Sequence, residues 1–263
     1  MNHKEQTYYI LGAILLLAGL YFGFDTKPRT QKALEKSRVL NNQGFDINSL
    51  RTEATKTISK EELETIEALE AQVQYAENDS IKSERLKQLS GKWYKLQKPV
   101  LAGIYAKEIA EIDQSANSWS IAGTTFASAL KQSELAEKDR VLARDQAVDA
   151  FEHAISLEPT VVDHRVNQAL CYIETPDATQ PMKGVQMLAG LATKYPDSAL
   201  PPYHLARLAV QTGQYERAEE RIEQALKLAP DDARIACLAI DIYKAVNKPE
   251  EAEKLKDLCA QMK

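Results

Sequence analysis

The chain opens on an unbroken apolar run. From Tyr8 to Phe24, "YYILGAILLLAGLYFGF", 17 residues pass without a charge. That is the short end of the length a helix needs to cross a bilayer. Tyr8, Tyr9, Tyr21 and Phe22 stand near its ends, where aromatic rings favour the headgroup region. The pattern predicts a transmembrane anchor at 8–24 behind a tail of residues 1–7. Residues 25–58 are polar and read as a basic juxtamembrane segment and linker, broken at "NNQG". From residue 59 onward apolar positions recur every three or four residues, the spacing of amphipathic helices. "SKEELETIEALEAQVQYAEN" begins with a capping-box pattern, Ser59 to Glu62, and carries Ile66, Leu69, Val73 and Ala76 on one seam. It predicts a capping helix within 59–82.

The most regular stretch is "ALPPYHLARLAVQTGQYERAEERIEQALKLAPDD", the 34 residues from Ala199 to Asp232. It reads as helix A and helix B joined at Thr212–Gly213, with Leu205, Ala206 and Ala209 on one face of A. Ala218, Ile222, Ala225 and Leu226 share a face of B, and Pro230 ends it. Alanine stands where leucine would bury more because two helix backbones cross there and a larger side chain would force them apart. The spacing recurs. Ala252 lies 34 residues after Ala218, Gly184 lies 34 before it, and Pro196 lies 34 before Pro230. Pro159 closes "QAVDAFEHAISLEP", where Ala147, Phe151 and Ala154 hold the helix-B places, and "RVNQALCY" supplies Ala169 to the next helix A. Further back, Ala102, Ala106 and Ile109 follow Pro99, with Leu89, Ser90 and Trp93 on the partner helix. The 45-residue step from Ala102 to Ala147 holds an insertion, placed in "KQSELAEKDRVLA". Five units result: 83–116, 117–161, 162–198, 199–232 and 233–263.

These residues resemble the tetratricopeptide repeat family. Leu205, Ala206, Gly213, Ala218, Ile222, Ala225 and Pro230 fall at its signature places, while Pro202 stands where the family often has tryptophan. A proline in the first helical turn is tolerated, since its missing N–H had no intrahelical partner. The resemblance implies an all-α chain: an N-terminal transmembrane helix followed by a right-handed solenoid of stacked helix pairs. It also implies a concave surface, lined by the A helices, that holds a peptide or helix of a partner protein. By register that lining includes Val166, Asn167 and Leu170, then Tyr203, His204, Arg207 and Gln211, then Arg234, Asp241 and Lys244.

Charge adds an orientation. Residues 1–38 balance at +3 (Lys4, Lys27, Arg29, Lys32, Lys36 and Arg38 against Glu5, Asp25 and Glu35), so the rest of a chain of net −5 carries −8. An acidic body offers no electrostatic footprint for phosphate backbones, which argues against nucleic acid. Five basic residues follow the span closely, and the bias of such charges to the cytoplasmic side places the repeats in the cytoplasm of a bacterial inner-membrane, single-pass protein. A short tail before a single anchor is also compatible with export of the repeats. Gly12, Ala13, Ala18, Gly19 and Gly23 would let the span pack against another helix. The architecture is similar to anchored bacterial repeat proteins of secretion, envelope-assembly or cytochrome-maturation machinery, so an accessory subunit of a membrane complex is the alternative to a free scaffold.

Candidate chemistry is sparse. Cys171, Cys237 and Cys259 form no CxxC pair and read as buried reduced thiols. His3, His153, His164 and His204 stand in no metal or nucleophile motif. His164 and Cys171, seven apart, could share a helix face, but register makes them ordinary helix-A residues. Carboxylate pairs such as Glu61–Glu62 and Glu219–Glu220 fall on polar faces. No enzyme, cofactor or metal is expected.

Overall fold

A computed structural model describes residues 47–261. The expected anchor at 8–24 lies outside the described residues. The chain divides into two compact units, Met1–Glu53 and Ala54–Lys263, and the repeats lie in the second.

Residues 47–55, within the segment read as juxtamembrane region and linker, form a helix, α1 (Ile47–Thr55), in which Ile47, Leu50 and Ala54 recur at helical spacing. Then come α2 (Lys60–Gln74), α3 (Asp79–Lys95), α4 (Pro99–Asp113), α5 (Ala116–Ala129), α6 (Glu137–Leu157) and α7 (Val162–Glu174). The order ends with α8 (Lys183–Lys194), α9 (Leu200–Gln211), α10 (Tyr215–Leu228), α11 (Ala233–Ala245), α12 (Pro249–Lys254) and α13 (Lys256–Ala260). Each helix from α2 to α11 packs chiefly on its neighbours in sequence, the signature of a helical-repeat solenoid, and α13 folds back onto α11. There is no strand among the described residues, only an isolated bridge between Asp177 and Gln180.

Local chemistry sets the boundaries. The Ser59 side chain accepts from the Glu62 N–H while the Glu62 carboxylate accepts from the Ser59 N–H, closing the capping box of α2. Asn78, Ser115 and Asp232 cap α3, α5 and α11 through their side chains. Three of the A-to-B turns use one device. Gln97, Gly213 and Asn247 have φ of 59°, 71° and 65°. The next N–H then donates to the carbonyl five residues back: Lys98 to Trp93, Gln214 to Ala209, Lys248 to Tyr243. Glycine and asparagine suit this left-handed conformation, and Gln97 adopts it at a steric cost.

The core is a row of small-residue crossings. Ala206, Ala218, Ile222, Ala225, Ile235 and Ala239 are buried together where α9, α10 and α11 meet. Between α4, α5 and α6 the fit is tighter still. A Cβ on Gly103 would stand 2.5 Å from the Phe126 ring, and one on Gly123 would stand 2.8 Å from the Phe151 ring. Helix α5 thus carries Trp119, Ala122, Gly123 and Phe126 at the spacing W-x2-L-G-x2-Y that marks helix A of the resembled family. The insertion goes into the turn after α5 and into α6, which runs 21 residues. Arg140 holds it, donating to the carbonyls of Leu130 and Gln132, each at 2.6 Å.

The reading of three reduced cysteines is overturned. Cys237 on α11 and Cys259 on α13 form a disulfide across a Cα–Cα distance of 4.8 Å. The hairpin from α11 into α12 and α13 brings together two thiols 22 residues apart. Cys171 remains free and buried.

Candidate partner-binding faces

Helix α9 presents Tyr203, His204 and Arg207 on one side. The Tyr203 and His204 rings meet edge-on at 4.9 Å. Arg234 reaches the same region from the start of α11, its guanidinium gripping Asp232 with Nε–Oδ1 at 3.1 Å and Nη2–Oδ2 at 2.6 Å. The grip and the backbone N–H of Arg234 hold the Asp232 carboxyl below its ordinary range. Burial, with Arg207 and Arg234 adding to it, pushes His204 down to about 4, so the ring is neutral at pH 7. Arg234 also feels Tyr203 and Asp163, the latter from α7. Three A helices therefore share one electrostatic field.

Two polar atoms in that field are unmatched. Arg207 Nε and His204 Nδ1 are buried without a hydrogen-bond partner. Among the described residues no acceptor or carboxylate reaches Arg207. A buried polar group left unmatched costs about 1–3 kcal/mol, and in folded proteins such groups are rare enough to need a reason.

The other predicted lining residues scatter. Val166 is a correction: it is 1% exposed and packs with Ala169, Leu188 and Leu191, because a valine there is drawn into the α7–α8 crossing. Leu170 lies half-buried against the same cluster, and Asn167 is half-buried. Gln211, Asp241 and Lys244 are exposed. His164 and Cys171 do not hydrogen-bond to each other. His164 Nε2 stands 3.6 Å from Glu158, and burial, then Glu174, pushes the Cys171 thiol up to about 12, far from a nucleophile's range. No group of three potential metal ligands occurs among the described residues.

A second face went unread in the sequence. A groove of about 600 Å³ opens between α3 and α5 over α4. Lys87, Gly91, Tyr94 and Lys95 line one wall, Ile121 the other, and Ile109 the floor. Tyr94 and Ile121 are each about half exposed, at 50% and 51%. The Trp119 register on α5 was the signal that would have placed Ile121 there.

Residues 177–240 match the tetratricopeptide repeat family. Among curated proteins none matches the chain. Among solved structures it is similar to a crystal structure of MamA, at 13% identity over 66% of this chain and 93% of that one, with a TM-score of 0.41. MamA from Desulfovibrio magneticus RS-1, residues 41 to the end, is similar at 15% identity over 68% and 96%, with a TM-score of 0.42. No helix among the described residues is long and apolar enough to cross a membrane.

Proposed function

We propose that this chain, a member of the tetratricopeptide repeat family, is a membrane-tethered scaffold that binds a partner protein on the A-helix face centred on α9. The observation that carries the reading is the pair of buried, unmatched polar atoms, the donor Arg207 Nε and the ring nitrogen His204 Nδ1, in a field shared with Arg234. A carbonyl or carboxylate oxygen of a bound segment would satisfy Arg207 Nε, at up to about 1–3 kcal/mol. Tyr203 beside them supplies a rigid amphipathic contact. Residues 8–24 would tether the scaffold to a bilayer, and nucleic acid is not a partner.

The disulfide bears on the side of the membrane. Disulfides persist outside the cytosol and are rare within it. Cys237–Cys259 therefore supports the exported orientation over the one drawn from the basic flank.

A photo-crosslinking residue at Tyr203, in intact cells, tests the scaffold reading. Adducts that vanish on Arg207→Glu, with the melting temperature unchanged, support it. Adducts indifferent to Arg207, or equal to those from exposed Lys227 on α10, would sink it. Alkylation of Cys237 and Cys259 in lysed cells, with and without reductant, tests the orientation: thiols free without reductant restore the cytoplasmic one.

A further inference from the structure

The last hairpin is held differently from the others. Each earlier B helix lies between two A helices: α4 between α3 and α5, α6 between α5 and α7, α8 between α7 and α9, and α10 between α9 and α11. Helices α12 and α13 pack on α11 and on each other, with no A helix beyond them among the described residues. They are six and five residues long, too short to persist as helices without support. That support is thin. Ala252 is buried in α12, and α13 has no buried residue. Lys256 pairs with Glu253 of α12 rather than with α11. The Cys237–Cys259 bridge supplies the attachment that a second A helix gives the other B helices.

The bridge is open to exchange. Cys237 and Cys259 are only half-buried, so a thiolate can approach. Cys171 is buried and its thiol is pushed up to about 12, first by burial and then by Glu174, so it does not join the exchange. Packing connects the bridge to the partner face. One apolar cluster runs from Tyr203 and Ala206 on α9, through Ile235 and Ala239 on α11, to Ala252, Leu255 and Cys259. Arg234 stands one turn before Cys237 on the same side of α11. Withdrawing Ala252, Leu255 and Cys259 therefore removes the backing of the helix that carries Arg234 toward Tyr203 and His204.

We propose that Cys237–Cys259 is a thiol–disulfide exchange site, and that its reduction by a dithiol releases α12 and α13 from α11 and loosens the α9–α11 face. One thiolate of the dithiol attacks a sulfur of the bridge, the S–S bond breaks, and the other cysteine leaves as a thiolate and takes a proton. The second thiolate resolves the mixed disulfide and frees the remaining cysteine. Two electrons pass to the bridge and the dithiol ends as its own disulfide. The consequence, a partner held when the bridge is oxidised and released when it is reduced, rests on the scaffold reading.

The test uses the full chain in detergent micelles, with dithiothreitol as the dithiol at pH 8. Hydrogen exchange is expected to quicken at least about tenfold in α12, α13 and the first turns of α11, with α3 to α7 unchanged, and to return on adding oxidised glutathione. In the chain reduced at pH 8 and then acidified, the His204 imidazole resonances should titrate closer to 6.5 than to the value of about 4 in the oxidised chain. Cys237→Ser with Cys259→Ser should match the reduced chain without reductant, and in cells should lower Arg207-dependent adducts from Tyr203 at least about fivefold. Unchanged exchange, equal quickening of every helix, no return with oxidised glutathione, an unmoved His204 titration or undiminished adducts would each overturn the proposal. If the oxidised chain gives no Arg207-dependent adducts, the scaffold reading fails by itself, and exchange and the His204 titration still decide the latch.

Discussion

Replacing Gly123 by alanine sets two effects of similar size against each other, and the structure decides between them. Alanine in a helix interior is favoured over glycine by about 0.5–1 kcal/mol. Against this, the new Cβ would lie 2.8, 2.8 and 2.9 Å from three atoms of the Phe151 ring. Comfortable carbon–carbon separations begin near 3.5 Å, so the ring must retreat by roughly 0.7 Å. It has little room: Phe151 is fully buried, as are Ala147, Ala150 and Ala154 around it. Overpacking of this kind costs about 1–3 kcal/mol, so the net effect is a loss of about 1 kcal/mol. That corresponds to a fall in melting temperature of about 2–4 °C for a domain of this size. Gly91→Ala is the control, because it has the same propensity gain and no clash, and it is expected to raise the melting temperature by a similar amount. Helicity followed by circular dichroism during heating measures both. Phe151→Leu should relieve the clash, so the double variant with Gly123→Ala should lose less than the two singles added. If Gly123→Ala stabilises as much as Gly91→Ala, the ring does not pack on that backbone and the account of the α5–α6 crossing is wrong.

Other outcomes follow from single contacts. His204 is held at about 4 in the fold against 6.5 unfolded, so the unfolded chain binds the extra proton between those values. Stability is therefore full above pH 6.5 and is lost as pH falls toward 4, by on the order of 3 kcal/mol at most, and His204→Gln should flatten that slope in urea titrations. Lys107 is 6% exposed and donates to Gln146 at 2.8 Å and Asp149 at 2.7 Å. Asp149→Ala should cost about 1–3 kcal/mol by leaving the buried ammonium with Gln146 but no counter-charge, whereas Lys107→Met should be near neutral; equal losses would refute the ion-pair account. Arg140→Ala should cost about 1–3 kcal/mol by unfastening the turn after α5, read as faster proteolysis near Gln132. Reduction of the Cys237–Cys259 bridge, which closes a 22-residue separation, should lower stability by about 3 kcal/mol and show first as hydrogen exchange in α12 and α13.

How far the fold was legible depended on where the register could be counted. Ala218 follows Ala206 by 12 positions, the spacing of an undisturbed hairpin, and that unit could be read from its letters. Ala147 follows Gly123 by 24 positions. The fullest signature in the chain, Trp119 with Ala122, Gly123 and Phe126, was therefore missed by a count that stepped from one helix B to the next. The extra residues extend α6 backward from its crossing point, which moves helix A out of step without disturbing either helix's own period. Missing that helix also hid the α3–α5 groove, since Ile121 had no assigned face.

The remaining failures share a cause: pair geometry that a one-dimensional pattern does not carry. Val166 occupies a place the register assigns to the groove, but a small apolar side chain at a crossing with Leu188 gains more by burial than by facing water. Cys237 and Cys259 look unrelated at a separation of 22, yet they lie 10 residues before and 12 after Asn247, the left-handed residue of the last turn. Folding an antiparallel hairpin about that point lays the two thiols side by side. Turn position, once found, predicts contacts symmetric about it. The same rule would have flagged the bridge from the sequence, and with it the conflict between an oxidised cysteine pair and a basic flank that argues for the cytoplasm.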